Sequence, residues 1–128
     1  MTWREIPLGP APAPQADVVA IKKSYSVRVV VYEVKASRSD FLRDVNRGKY
    51  ESYLPHCHQL YFAAPAGVLA AKDIPDGMGL ITQGPTGWHV AVASRVRQMT
   101  PSVPFLLALM FRGYEEFRET RRLAERVD

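Results

Sequence analysis

The chain has 128 residues, a length that fits one domain, and 47% of them are hydrophobic, which is too many for a disordered chain. Its net charge of +4 favours a polyanionic partner without establishing one. No stretch is apolar over the length that a bilayer requires, and no leading segment is typical of a signal peptide. We therefore expect a soluble, cytoplasmic protein with no membrane partner.

The first elements in chain order are an arm and a hairpin. Residues 7–14, PLGPAPAP, predict an extended or polyproline II conformation, so we assign residues 1–15 to an N-terminal arm. The pattern then changes to short apolar and β-branched residues in two segments. Residues 16–23 and 26–35 predict two strands of a β-hairpin that turns around Ser24–Ser26.

The next segment, SRSDFLRDVNRGKYESYL, predicts a helix. Ser37 followed three residues later by Asp40 resembles a capping box. Apolar residues then recur at roughly helical spacing as far as Tyr53. Gly48 weakens the middle of this helix by about 1 kcal/mol relative to alanine, and Pro55 ends it.

The remaining elements are a strand, a second hairpin and a helix. Residues 59–65, QLYFAAP, predict a strand buried on both faces that joins the sheet through a right-handed β-α-β crossover. Residues 79–93 predict a hairpin around Gly84–Gly87. Residues 100–128 predict a helix, apolar in its first half and charged in its second, that packs on the core or on a partner. The core then spans residues 16–99.

Three charged residues stand where the first predicted hairpin opens. Glu33 and Lys35 share one face of the second strand, and Val34 points to the other. Asp17 begins the preceding strand and lies near the same end of the sheet. The two carboxylates and the Val34 carbonyl are hard oxygen ligands that suit Mg²⁺ or Mn²⁺, which would activate water against a phosphodiester. On spacing alone, an exposed charge pair explains Glu-x-Lys better.

The order of these residues carries a resemblance. Asp17, then Glu33-Val34-Lys35, on two strands followed by a helix, resembles the PD-(D/E)XK nuclease superfamily. ADVVAI, VYEVKASRSDFLRD, KYESYLPHCHQLYFAAPAG and DGMGLI are similar to the MmcB-like DNA repair proteins, a branch of it, over about residues 16 to 83. The resemblance implies an α/β, restriction-endonuclease-like core, a mixed sheet flanked by helices. It also implies Asp17 and Glu33 as metal ligands and Lys35 as the catalytic lysine.

The sequence departs from that family pattern at its beginning. The usual core starts with a helix ahead of the first active-site strand, often with another acidic residue. The prolines within residues 1–15 exclude a long helix there. Glu5 is a candidate for the acidic residue, and the C-terminal helix or a partner chain is a candidate for the missing helix.

Basic residues on or beside the first predicted helix form the expected nucleic-acid surface. Arg43 and Arg47 are four apart and share a face, which would follow a phosphate backbone next to a metal site. A solvated helix with balancing acidic residues explains them about as well, and capping is the better explanation of Ser37. The candidate contacts are Ser37, Arg38, Arg43, Arg47 and Lys49.

The leading functional prediction is a Mg²⁺- or Mn²⁺-dependent endonuclease that cleaves DNA in repair or processing. No base-reading element is identifiable, so we expect recognition of DNA structure rather than of a sequence. The proline-rich arm and the apolar half of the last helix favour a homodimer. Two alternatives stay open: a catalytically inactive nucleic-acid-binding module on the same fold, and a protein-interaction domain.

Overall fold

The computed structural model describes residues 1–9, 12–22 and 27–127 of the chain. Within these ranges six strands form one sheet, together with two α-helices, α1 and α2. Short 3₁₀ turns lie at Lys49–Ser52, Leu54–His56 and Ala71–Asp73. The strands are β1, Thr2–Pro7; β2, Gln15–Lys22; β3, Arg28–Val34; β4, Gln59–Pro65; β5, Gly79–Gly84; and β6, Gly87–Val92. The helices are α1, Arg38–Asn46, and α2, Val103–Val127.

The strands lie in the sheet in their order along the chain. The pairs β3–β4 and β4–β5 are parallel, and the other three pairs are antiparallel. Helix α1 therefore lies in the crossover between two parallel neighbours. The predicted fold class, a mixed α/β sheet flanked by helices with a C-terminal helix, is confirmed and is consistent with a restriction-endonuclease-like core.

The centre of the sheet is built from β-branched and aromatic residues. In β3, Val29, Val30 and Val31 are fully buried in succession, so both faces of the strand are covered. In β4, Leu60 and Phe62 are buried in the same core. Such continuous apolar runs are typical of strands with parallel neighbours, which explains why these two segments were predictable from their composition.

The arm predicted for residues 1–15 is in part a strand of the sheet, which corrects that assignment. Strand β1 pairs with β2 in antiparallel register at the edge of the sheet. This strand was hard to predict from the sequence because its buried residues, Trp3 and Ile6, are three apart rather than two. Glu5 between them has a left-handed backbone (φ 52°), which interrupts the regular alternation of a strand.

Helix α2 packs against β1 through its first turns. Ser102, just before the helix, caps it: the Ser102 Oγ accepts a hydrogen bond from the Phe105 N–H at 3.2 Å. Phe105 and Leu109, four residues apart, are buried in the same cluster as Trp3. A turn further on, a Cβ at Gly113 would lie 3.5 Å from the Trp3 indole nitrogen, so the helix and β1 approach closely.

Helix α1 is shorter than the sequence predicted. Its start is as expected, because the Ser37 Oγ accepts a hydrogen bond from the Asp40 N–H at 3.1 Å. It ends at Asn46, however, and does not continue to Tyr53. Gly48 adopts a left-handed conformation (φ 70°) that terminates an α-helix, and the chain continues in 3₁₀ turns. The glycine that was expected only to weaken the helix therefore ends it.

The second predicted hairpin is confirmed: β5 and β6 are antiparallel and meet with Gly84 opposite Gly87. Strands β2 and β3 also pair in the antiparallel sense, as predicted. The turn predicted for them, Ser24–Ser26, lies outside the described residues. Neither described helix combines the length and the apolar character needed to cross a membrane.

Gly79 tests the packing of the sheet. A Cβ at this position would meet the Tyr61 ring at 2.4 Å and the Ser94 backbone nitrogen at 2.8 Å. Gly79→Ala is therefore expected to lower the free energy of unfolding by roughly 1–3 kcal/mol, because the Tyr61 ring or the backbone after β6 must move. Gly84→Ala is the matched control, since nothing lies within 4 Å of its Cβ. Equal urea midpoints for the two variants would contradict this packing.

Candidate active site

The site is built around two carboxylates that face each other across β2 and β3. Val18 pairs with Tyr32 in the antiparallel register, so Asp17 lies opposite Glu33 at the next position. The Asp17 N–H donates a hydrogen bond to Glu33 Oε1 at 3.2 Å, and the Val34 N–H donates to Asp17 Oδ2 at 2.8 Å. The structure thus brings together the two carboxylates that the sequence placed at this end of the hairpin.

Glu33 is the buried member of the pair, with only 3% of its surface exposed. Burial raises the pKa of its carboxyl to about 7, and the neighbouring charge of Asp17 adds to that effect. The backbone N–H of Asp17 and the ammonium groups of Lys35 and Lys49 oppose the shift without cancelling it. A carboxyl in this setting is stabilised by gaining either a proton or a nearby cation.

Tyr53 reaches Glu33 from the turn that follows α1, a contact that the sequence did not predict. Its side chain is buried, and its hydroxyl donates to the Gln15 carbonyl at 3.3 Å. Burial, together with the charges of Glu33 and Asp17, raises the pKa of the Tyr53 hydroxyl. The hydroxyl therefore remains protonated, and its proton is donated to the Gln15 carbonyl.

Lys35 is also buried, at 4% exposure, but its ammonium contacts Asp44 of α1. Lys49 lies 3.9 Å from the same oxygen, Asp44 Oδ2. Burial disfavours the charged form of Asp44, but the hydrogen bond and charge of Lys35, with Lys49, outweigh it and lower the pKa of Asp44. Asp44 is one of the acidic residues that, from the sequence, would balance charge on a solvated helix. The structure instead places it against the predicted catalytic lysine.

The core fixes the position of Asp44. Phe41, fully buried, packs edge-on against Phe62 of β4, with ring centroids 5.0 Å apart. Asp44 follows Phe41 by three residues and so lies on the same side of the helix. This spacing from a core residue is the signal in the sequence that could have indicated an inward-pointing carboxylate.

Two of the residues predicted to contact nucleic acid, Ser37 and Arg38, make hydrogen bonds within the protein. Arg38 makes two hydrogen bonds to the Asp73 carboxylate, at 2.6 and 2.9 Å. These bonds, with one from the Ala70 N–H, lower the pKa of Asp73 to about 2. Ser37 caps α1. Both of these residues thus already have structural partners.

The other three predicted contacts lie at the end of α1 and just beyond it. Arg43, Arg47 and Lys49 are exposed. The ammonium of Lys49 lies 3.9 Å from the Asp44 carboxylate, which also binds the Lys35 ammonium. We call these three exposed cations the basic rim.

The donors available to a metal ion are few. Across the described ranges, no group of three or more His, Cys, Asp or Glu side chains is arranged to hold a metal ion. Asp17 and Glu33 offer two carboxylates, and Val34 adds a backbone carbonyl. Such a set fits Mg²⁺, which commonly takes one or two protein carboxylates and completes its shell with water and phosphate oxygens. A cation at this position would favour the charged form of Glu33, which burial and the charge of Asp17 disfavour by raising its pKa.

A family model described as DNA repair protein MmcB-like matches residues 2–122. The chain belongs to this family. The match extends in both directions beyond residues 16 to 83, over which the sequence alone showed the resemblance, and it includes β1 and most of α2. None of the curated proteins matches the chain.

One solved structure resembles this MmcB-like chain closely in fold. It is the SPO1766 protein of unknown function from Silicibacter pomeroyi, with a TM-score of 0.71 and 18% sequence identity. The alignment covers 94% of this chain and 80% of that one. At that identity the likeness supports the fold alone.

Glu33→Gln tests the electrostatics of the site in metal-free buffer. The unfolded chain releases the Glu33 proton near 4.5 and the folded chain near 7, so wild-type stability falls as pH rises through that window. The loss amounts to at most about 3 kcal/mol. The variant has no proton to release, so urea unfolding should show it to be the more stable protein near pH 8 but not near pH 5. Exposed Glu115→Gln is the control; a similar pH response in both variants would refute the assignment.

Proposed function

We propose that this MmcB-like protein is a metal-dependent nuclease of the PD-(D/E)XK type that hydrolyses phosphodiester bonds of DNA during repair. The observation that carries the proposal is the pairing of Asp17 with Glu33, with Lys35 immediately after β3. The family's DNA repair description supports DNA as the substrate class.

Asp17 and Glu33 would hold Mg²⁺ or Mn²⁺, with the Val34 carbonyl as a further oxygen ligand. A bound ion of this kind supplies positive charge at the scissile phosphate and makes a nearby water easier to deprotonate. The chain contributes a fixed geometry, since each carboxylate has one oxygen held by a backbone N–H. The Tyr53 hydroxyl lies near enough to both carboxylates for their charges to raise its pKa.

Lys35, immediately after β3, continues the face of that strand that carries Glu33. Its ammonium is a donor that would stabilise negative charge on the phosphate in the transition state, or orient the attacking water. Asp44 binds this ammonium in the protein without substrate. Lys49 lies beside the same carboxylate and adds a second cation near the place where the phosphate would bind.

The basic rim would bind the rest of the substrate through its phosphates. Arg43, Arg47 and Lys49 provide charge but no paired donor and acceptor pattern of the kind that reads base edges. Recognition of DNA by structure rather than by sequence is the outcome that such contacts favour. Salt would weaken this binding strongly.

A second candidate, a nucleic-acid-binding module without turnover, is favoured by one observation. The described residues provide only a pair of carboxylate ligands, and the Lys35 ammonium is engaged by Asp44. A protein that bound DNA but showed no metal-dependent cleavage would fit this alternative. The two candidates share the fold and the basic rim and differ only in chemistry.

The decisive assay compares linear, nicked, branched and single-stranded DNA with Mg²⁺, Mn²⁺ or EDTA. We expect cleavage that requires the metal and falls at least about 100-fold in Lys35→Ala and Asp17→Asn, because a charge-stabilising group or a metal ligand is lost. Lys72→Ala, an exposed lysine outside the site, is the matched control. Cleavage that persists in EDTA or in Lys35→Ala would reject the proposed mechanism.

Asp44→Asn isolates the support of Lys35. We expect kcat to fall by about 10- to 100-fold while Mn²⁺ affinity, measured by calorimetry, changes little, since the metal ligands remain intact. Asp44→Glu should recover part of the loss. Asp40→Asn, on the same helix, serves as the control. A loss of Mn²⁺ binding equal to the loss of kcat would instead indicate general damage to the site.

A further inference from the structure

A groove of about 640 Å³ lies at the end of β3 remote from the paired carboxylates. Arg28 at the start of β3, His58 just before β4, and Arg97 and Gln98 from the segment after β6 line it. The lining residues include no carboxylate. We call this feature the basic groove.

The cations at the basic groove are arranged without compensation. Lys22 of β2 lies directly opposite Arg28 of β3 in the antiparallel register. Like charges at such positions repel and destabilise a sheet. In the described part of the chain, Lys22, Arg28 and Arg97 take part in no ion pair, whereas Arg38 is paired with Asp73. An anion bound between these side chains would relieve the repulsion.

The wall of the basic groove is held in place by hydrogen bonds. The Arg97 N–H donates to the His58 carbonyl at 2.7 Å. His58 Nδ1 accepts from the Val29 N–H at 2.8 Å, so its Nε2 carries the proton and donates to the Met99 carbonyl at 3.1 Å. The segment that carries Arg97 is thus fixed against the starting ends of the central strands β3 and β4. The groove is preorganised, which lowers the cost of binding a ligand there.

We infer that the basic groove binds the phosphodiester backbone of the nucleic-acid substrate, apart from the site of cleavage. This inference rests on the proposed function, since it takes the same polymer as its ligand. Arg28 and Glu33 are five residues apart on β3, which separates them by about 17 Å and directs their side chains to opposite faces of the sheet. A strand of nucleic acid that contacts both would pass around the end of the sheet, a path of roughly five or more nucleotides at about 3.4 Å each. The groove therefore extends the footprint of the protein well past the scissile bond.

The test measures DNA binding by the double variant Arg28→Gln/Arg97→Gln. Binding is measured by the fluorescence anisotropy of a labelled duplex, in EDTA and at several salt concentrations. We expect affinity to weaken by about tenfold at low salt, and the slope of log K against log salt to become shallower by about two, because two phosphate contacts are lost. Arg122→Gln, an exposed arginine of α2, should match wild type. Arg28→Lys/Arg97→Lys, which keeps both charges, should retain most of the slope.

The outcomes distinguish the proposed nuclease activity from the proposed binding of nucleic acid at the basic groove. Wild-type binding with the expected change in slope, but no cleavage of any substrate, would reject the nuclease and retain the basic groove. Metal-dependent cleavage with an unchanged slope in the double variant would retain the nuclease and overturn the groove, leaving those arginines free for another partner such as an acidic protein. Arg97→Gln alone, which alters only an exposed side chain, covers the case in which the double variant does not fold. It should reduce the slope by about one.

Discussion

The antiparallel register of β2 and β3 is the constraint on which the chemistry of this protein depends. It sets Asp17 opposite Glu33, and backbone N–H groups then bind one oxygen of each carboxylate. A shift of one residue would turn every side chain of one strand to the other face and separate the pair. The core opposes such a shift, because it would bring Arg28 and Tyr32 to the face on which Val29 and Val31 pack in the hydrophobic cluster. The apolar core thus fixes the relative position of two charged groups.

The crossover helix extends this control to the cation of the site. A buried contact between Phe41 and Phe62 fixes α1 against β4, and Asp44 lies on the same side of that helix. The Glu33 carboxylate lies on β3, and the Lys35 ammonium is bound by a residue of α1; core packing determines the positions of both elements. Buried charge is costly unless it is paired and hydrogen-bonded. The pairing of Lys35 with Asp44 meets that condition, while Glu33 meets it only in part.

The sequence predicted the features that depend on local pattern. Alternation and β-branched composition placed β2 to β6, and a period of two placed Glu33 and Lys35 on one face of the sheet. The features that it missed depend on contacts made only in the folded chain. The strand β1 lacks regular alternation at Glu5, and the contacts of Tyr53 with Glu33 and of Arg38 with Asp73 join distant segments. No local pattern encodes such contacts.

The left-handed glycine after α1 divides the segment between β3 and β4 into a helix and 3₁₀ turns. Asp44 belongs to the helix before Gly48, and Lys49 and Tyr53 follow that glycine. The two parts stay connected at the site, because the ammonium of Lys49 lies beside the Asp44 carboxylate. The change of direction at Gly48 thus lets one crossover connection place side chains near both the Lys35 ammonium and the paired carboxylates. A straight helix would extend past the site with its later residues directed away from it.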